Sequence, residues 1–235
     1  MIAAAGLMLS VGLIWLLFYS RDLPDVKTLS AFAPTSQIQV VDFCSKTVST
    51  AIPYESIGKN LRIALSVAEG GEHGLGIFSK TFRGFSSGMH PRIAPLSSQV
   101  ARTMFCEPSK VLNRQLNELR VAVQLERHFS HRDLFTIYSN RLSLGTNLTG
   151  VQDGSQRFFG KDADQLSLAE AALLGGMVKA PSYYSPLNHP DRAVRRRNEV
   201  IDAMAQAQAV GPLEAQSAKA SAINVATQQD QNREK

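Results

Sequence analysis

The chain predicts a mainly α fold, a helical globular domain behind one apolar N-terminal helix, and three observations carry that prediction. Residues 2–19 run without a charge, with Ser10 as the one clearly polar side chain. From residue 56 onward apolar residues recur at helical rather than alternating spacing. Start and stop signals then divide the run into separate helices: a Ser167-Leu168-Ala169-Glu170 capping box, Pro190 at a first turn, and glycines at 70, 71 and 211. The 235 residues leave room for one domain of ordinary size with appendages.

Residues 1–20 are long enough to cross a bilayer as one helix, and Trp15 and Tyr19 resemble interfacial aromatics. A cleaved signal peptide is the alternative, but Phe18-Tyr19-Ser20-Arg21 lacks a small-x-small cleavage pattern, so an uncleaved anchor is the expectation. No Lys or Arg precedes the span while Arg21 and Lys27 follow it; by loop charge alone the domain would lie inside, and charge leaves the orientation open. Residues 21–50 read as a stalk with Pro24 and Pro34, and within it 36–43 alternates as a short strand. The globular domain is expected over 51–212.

Its first helix spans 57–69 and stops at Gly70-Gly71. The breaker-rich segment 70–95, interleaved with Phe78, Lys80, Phe82, Arg83, Phe85 and Met89, excludes a continuous helix. It reads as a mobile loop able to lie on a bilayer surface, the alternative being an apolar loop over the core. Residues 110–125 form an amphipathic helix with Leu112, Leu116, Leu119 and Val123 on one face and Lys110, Arg114, Asn117 and Glu118 on the other. Further helices are expected over 133–140, 171–177 and 191–210. The stretch 213–235 reads as a polar tail, disordered from 228.

The formal charge is +5, and Arg192, Arg195, Arg196 and Arg197 crowd together, which implies anionic partners. Behind a membrane anchor, lipid headgroups or a phosphorylated lipid are more economical than nucleic acid. Cys44 and Cys106 fit no short metal-ligand spacing; a disulfide in an oxidising compartment and buried thiols in a reducing one both stay open. For chemistry, the two acids Glu69 and Glu118 stand out. A carboxylate in the last helical turn faces the negative end of the helix dipole, which raises its proton affinity and suits it to act as a base. Position alone favours an ordinary surface acid, because acids are common and catalytic ones rare.

The run Gly150-Val151-Gln152-Asp153-Gly154-Ser155-Gln156-Arg157-Phe158-Phe159-Gly160-Lys161, then Leu166-Ser167-Leu168-Ala169-Glu170-Ala171-Ala172-Leu173-Leu174, then Lys179-Ala180-Pro181-Ser182-Tyr183-Tyr184-Ser185-Pro186, resembles the peptidoglycan glycosyltransferases, glycosyltransferase family 51, in their single-domain form. The similarity extends upstream to Ile52-Pro53-Tyr54 and downstream to Arg196-Arg197-Asn198-Glu199-Val200-Ile201. Four motifs are only partly matched. Glu69 stands where the first motif begins, with Gly70 in place of Asp; the second keeps its final Gln as Gln99, with Arg102 answering a Lys. The third keeps both ends as Arg114 and Glu118, and the fourth keeps Tyr138 and Asn140 but has Thr136 for an acid.

The resemblance implies a lysozyme-like domain that polymerises lipid II into glycan strands outside the bacterial cytoplasmic membrane, alongside other cell-wall synthesis proteins. It implies Glu69 and Glu118 as catalytic, and Gln99, Arg102, Lys110, Arg114, Asn117, Asn140 and Arg196 as substrate-binding. A divalent cation, Mg or Mn, is a candidate helper whose ligands the sequence leaves unknown. The rivals are an anchored scaffold of the cell-wall machinery with weakened or no activity, and a lysozyme-like glycan-cleaving enzyme. Cleavage has no lipid pyrophosphate to offset, so the cations Arg102, Lys110 and Arg114 favour transfer.

Overall fold

The computed structural model describes residues 51–70, 95–104, 111–145 and 148–225, with the side chains at 69, 70, 95 and 111–116 outside the description. The expected anchor, stalk, short strand, aromatic loop, Lys110 and both cysteines lie outside the described residues. Among the described residues no helix is long and apolar enough to cross a membrane.

A 3-10 turn, Tyr54–Ser56, leads into α1 (Lys59–Gly70). Arg62 fastens the turn to the helix by donating from Nη1 to the carbonyls of Tyr54 (3.1 Å) and Ile57 (2.8 Å). The guanidiniums of Arg62 and Arg132 each stand 4.7 Å from the Tyr54 ring centroid, and Arg132 also pairs with Glu55. On α1 the residues Leu61, Ala64 and Leu65 are buried at helical spacing, as the apolar pattern requires.

Next come α2 (Pro95–Thr103), α3 (Val111–His128) and α4 (His131–Arg141), packed on one another through α2. Ser130 and Asp133 form a capping box that starts α4 two residues before the expected 133. A short antiparallel ribbon, β1 (Ser143–Gly145) with β2 (Leu148–Thr149), turns the chain into α5 (Val151–Phe159). At the turn Gly150 has φ 91°, and a Cβ there would lie 3.0 Å from the Asn140 carbonyl oxygen, so both conformation and space demand glycine.

The loop after α5 is tied back to it. Gln152 and Gln156 both donate to Asp162 Oδ1 (2.6 and 2.8 Å), Ala163 N–H donates to Gln152 Oε1 (3.0 Å), and Ser155 donates to the Lys161 carbonyl (2.7 Å). The central α6 (Leu168–Met177) then starts at the expected capping box: Ser167 accepts from Glu170 N–H and Glu170 accepts from Ser167 N–H. This helix is apolar on nearly all sides and lies between α1 and α7 (Pro190–Gln206). Two adjacent glycines permit that: a Cβ on Gly175 would meet Ala64 of α1 at 3.1 Å, and one on Gly176 would meet Arg196 of α7 at 3.0 Å.

Three expectations need correction. The last long helix ends at Gln206 rather than 210, because Gln208 turns left-handed at φ 56°, and the stretch read as polar tail carries α8 (Pro212–Ala220) on α7 and α6. Ala215 and Ala218 bury the inner side of that short helix; alanines give little apolar signal, and composition hid it. Among the described side chains of α3 the fully buried ones are Val121, Ala122 and Leu125, while Leu119 and Val123 are only half-buried. The described part of the helix is rolled away from the predicted face, and on α2, which packs with it, Val100, Ala101 and Met104 are buried.

Candidate functional site

The α2–α3 pair carries most of the candidate side chains. Arg102 stands in the last turn of α2, where a cation is favoured by the helix dipole. It donates from Nε to Glu118 Oε2 on α3 at 3.4 Å. The arginine side chain is 50% exposed and the glutamate 15%, so the acid belongs to the inner side of α3 and the guanidinium leads outward. Glu118 thus turns toward the buried side of α3, away from the polar face on which helical spacing places it. The roll of α3 that buries Val121, Ala122 and Leu125 carries Glu118, one turn earlier, inward with them.

Its neighbour Asn117 has a buried Oδ1 without a hydrogen-bond partner, and an amide oxygen so placed is costly unless something donates to it. Gln99 lies one turn before Arg102 on α2, half-buried. Glu69 belongs to the last turn of α1, as expected, but its side chain, like that of Arg114, lies outside the described residues. The structure brings Arg102, Glu118, Asn117 and Gln99 onto one helix pair; Glu69 is on α1, which packs with α6 and α7 instead.

Two expected substrate contacts are turned inward. Asn140, 5% exposed, accepts from Ile52 N–H (2.9 Å) and donates to the carbonyls of Ile52 (2.8 Å) and Thr136 (3.0 Å), which clamps the lead-in strand of chain onto α4. Arg196 donates to the Gly176 carbonyl (3.3 Å) and to Glu199 (3.0 Å), and its guanidinium lies 5.7 Å from the Tyr184 ring centroid. Both amide hydrogens of Asn140 are used within the chain, and Arg196 secures the end of α6.

The crowded arginines are therefore not one anionic-partner patch. Arg197 is 2% exposed and donates to the carbonyls of Lys219 and Ser221 (both 2.7 Å) and to Asn198 (3.0 Å), capping the end of α8; burial holds its guanidinium below the ordinary value. Arg192 stacks 4.3 Å from the Tyr183 ring centroid. At the start of α6, burial pushes the Glu170 carboxyl upward, but the hydrogen bond from Lys161 (2.7 Å), those from Ser167 and the Lys161 charge outweigh it and leave a net lowering.

Sequence reasoning missed Ser97, Glu126, Arg141 and the inward, capping role of Arg197. Two had a signal: Arg197 falls on the buried stripe Ala193, Arg197, Val200, Ile201 and Met204, and Ser97 on Ser97, Val100, Ala101 and Met104. A polar residue on an apolar stripe reads as a buried tie.

The transglycosylase family model matches residues 92–205, from α2 to the last turn of α7. Penicillin-binding protein 1A of Aquifex aeolicus (strain VF5) is 32% identical over 213 residues, which are 82% of this chain and 28% of that protein. A putative transglycosylase of Cupriavidus necator is 28% identical over 188 residues, 79% of this chain and 78% of that one. A crystal structure of penicillin-binding protein 1A from Haemophilus influenzae is matched over 57% of this chain and 17% of that chain, at 25% identity and a TM-score of 0.37. The chain spans about a quarter of the first relative's length.

Proposed function

From the premise that this chain belongs to the peptidoglycan glycosyltransferases, glycosyltransferase family 51, we propose that it polymerises lipid II into glycan strands. Residues 1–20 anchor it as a single pass in the cytoplasmic membrane, with the domain on the outer side. In the reaction an acceptor hydroxyl attacks the anomeric carbon of the donor, the new C–O bond forms as the bond to the lipid pyrophosphate breaks, and the electron pair leaves with the pyrophosphate. Glu69 takes the hydroxyl proton. Arg102, Arg114 and Lys110 offset the charge that grows on the leaving group.

The observation that supports this reading best is the Arg102–Glu118 pair. A half-exposed arginine held from behind by a half-buried carboxylate presents a guanidinium fixed in direction yet open on its outer side. That is a fitting device for an anionic leaving group, since a pre-oriented cation needs no reorganisation as charge develops. Mg or Mn stays a candidate helper in this reading, its charge adding to that of the arginines on the leaving pyrophosphate. The inactive-scaffold reading draws on Asn140 and Arg196, whose contacts serve the fold with or without turnover.

The test uses the purified full-length chain with labelled lipid II in detergent. Polymer from the wild type and none from Glu69→Gln, at an unchanged thermal midpoint, is the expected result. Equal inactivity of both across lipid, detergent and metal conditions would favour the scaffold.

A further inference from the structure

On α2 the residue Ser97 is fully buried, and its hydroxyl donates to Glu126 Oε1 on α3 at 2.8 Å. An alanine would satisfy the packing at such a site, whereas a buried hydroxyl is tolerable only when bonded, so the choice of serine needs a reason beyond the core. Placement supplies one. Ser97 lies in the first turn of α2 and Glu126 in the last turn of α3; Arg102 lies in the last turn of α2 and Glu118 in the middle of α3. The two polar contacts thus fall at opposite ends of an antiparallel pair, with Val100, Ala101, Met104, Val121, Ala122 and Leu125 buried among the two helices.

Apolar packing alone tolerates a small slide or roll of one helix on the other, whereas a directional bond from a buried hydroxyl selects one register. At its other end α2 is capped by Arg141 of α4, which donates from Nη2 to the Thr103 carbonyl (3.1 Å) and from Nε to Thr103 Oγ1 (3.2 Å). That cap fixes where α2 ends but not how it is rolled about its own axis. The roll decides whether Arg102, next to the capped residue, meets Glu118.

We propose that the Ser97–Glu126 bond is a positioning tie that sets the roll of α2 on α3 and thereby aims Arg102 at the leaving group. Ser97 and Glu126 act through Arg102 and touch no substrate. The inference rests on the transferase reading above.

Steady-state polymerisation of lipid II by the full-length chain tests it, with thermal midpoints taken in parallel. Ser97→Ala is expected to lower kcat about tenfold while KM stays within about twofold, because a misaimed guanidinium costs more in the transition state than in the ground state. Glu126→Ala should match it, the double variant should be no worse than either single one, and Ser97→Thr, which keeps the hydroxyl, should recover most of the rate. Amide hydrogen exchange should quicken over 96–104 in Ser97→Ala and stay as in wild type over 168–177. An active wild type whose Ser97→Ala variant keeps full kcat, or additive losses in the double variant, would overturn the tie and leave the transferase reading standing. A wild type without polymerase activity would overturn the transferase reading itself and with it the role of the tie.

Discussion

The layer formed by α1, α6, α7 and α8 and the pair formed by α2 and α3 use polar residues in opposite ways. In the first, nearly every polar side chain on an inner surface is consumed by the chain: Arg197 caps α8, Arg196 holds the end of α6, and Lys161 and Ser167 hold Glu170. Glycines at 175 and 176 bring backbones close enough that a Cβ would already crowd the neighbours. In the second, Arg102 is held from one side and open on the other, and Asn117 Oδ1 is buried without a partner. A layer whose polar groups are nearly all answered is a support; a pair that leaves a half-exposed cation open on one side is where the proposed contact with the leaving group falls.

Substitutions break this comparison in graded ways. The largest loss of stability is expected in the support: Leu174→Ala, at a fully buried site of α6, should cost about 3 kcal/mol in chemical denaturation. Arg197→Met should cost about 2 kcal/mol, since the Lys219 and Ser221 carbonyls lose their donor, and Arg197→Lys should recover only part because it lacks the planar fork. Glu170→Gln should cost about 1 kcal/mol near neutral pH as the capping box and the Lys161 pair weaken.

That last loss has a pH signature. The folded-state pKa of Glu170 is lowered from 4.5, so the stability it contributes is present above the unfolded value and disappears as pH falls through the lower folded value. The difference between wild type and Glu170→Gln should therefore be constant above about pH 6 and shrink below about pH 4, read from melting temperatures across that range. A difference that grew on acidification would contradict the lowered value.

Much of the support was legible and the pair was not. The capping box at Ser167 and Pro190 at the start of α7 are local signals that act within one turn, and both helices start where they place them. The roll of α3 depends instead on what α2 offers, and no feature of α3 alone says that Ala122 rather than Leu119 is buried. Glu118 stands out in the sequence as an acid one turn after Arg114, but its contact with Arg102 joins two helices separated by the stretch 105–110, so spacing does not show it. The family resemblance alone points to Asn140, and its clamp on Ile52 spans 88 residues, a separation over which sequence spacing carries no signal.

The most direct measurement is the rate of lipid II polymerisation by Arg102→Ala beside its stability. An exposed ion pair is worth little to folding, so the stability change should stay within about 0.5 kcal/mol. If the α2–α3 pair presents the cation that the leaving group needs, the rate should fall at least about tenfold, with Arg102→Lys in between. An Arg102→Ala variant that polymerises lipid II at the wild-type rate would contradict the assignment of chemistry to this pair.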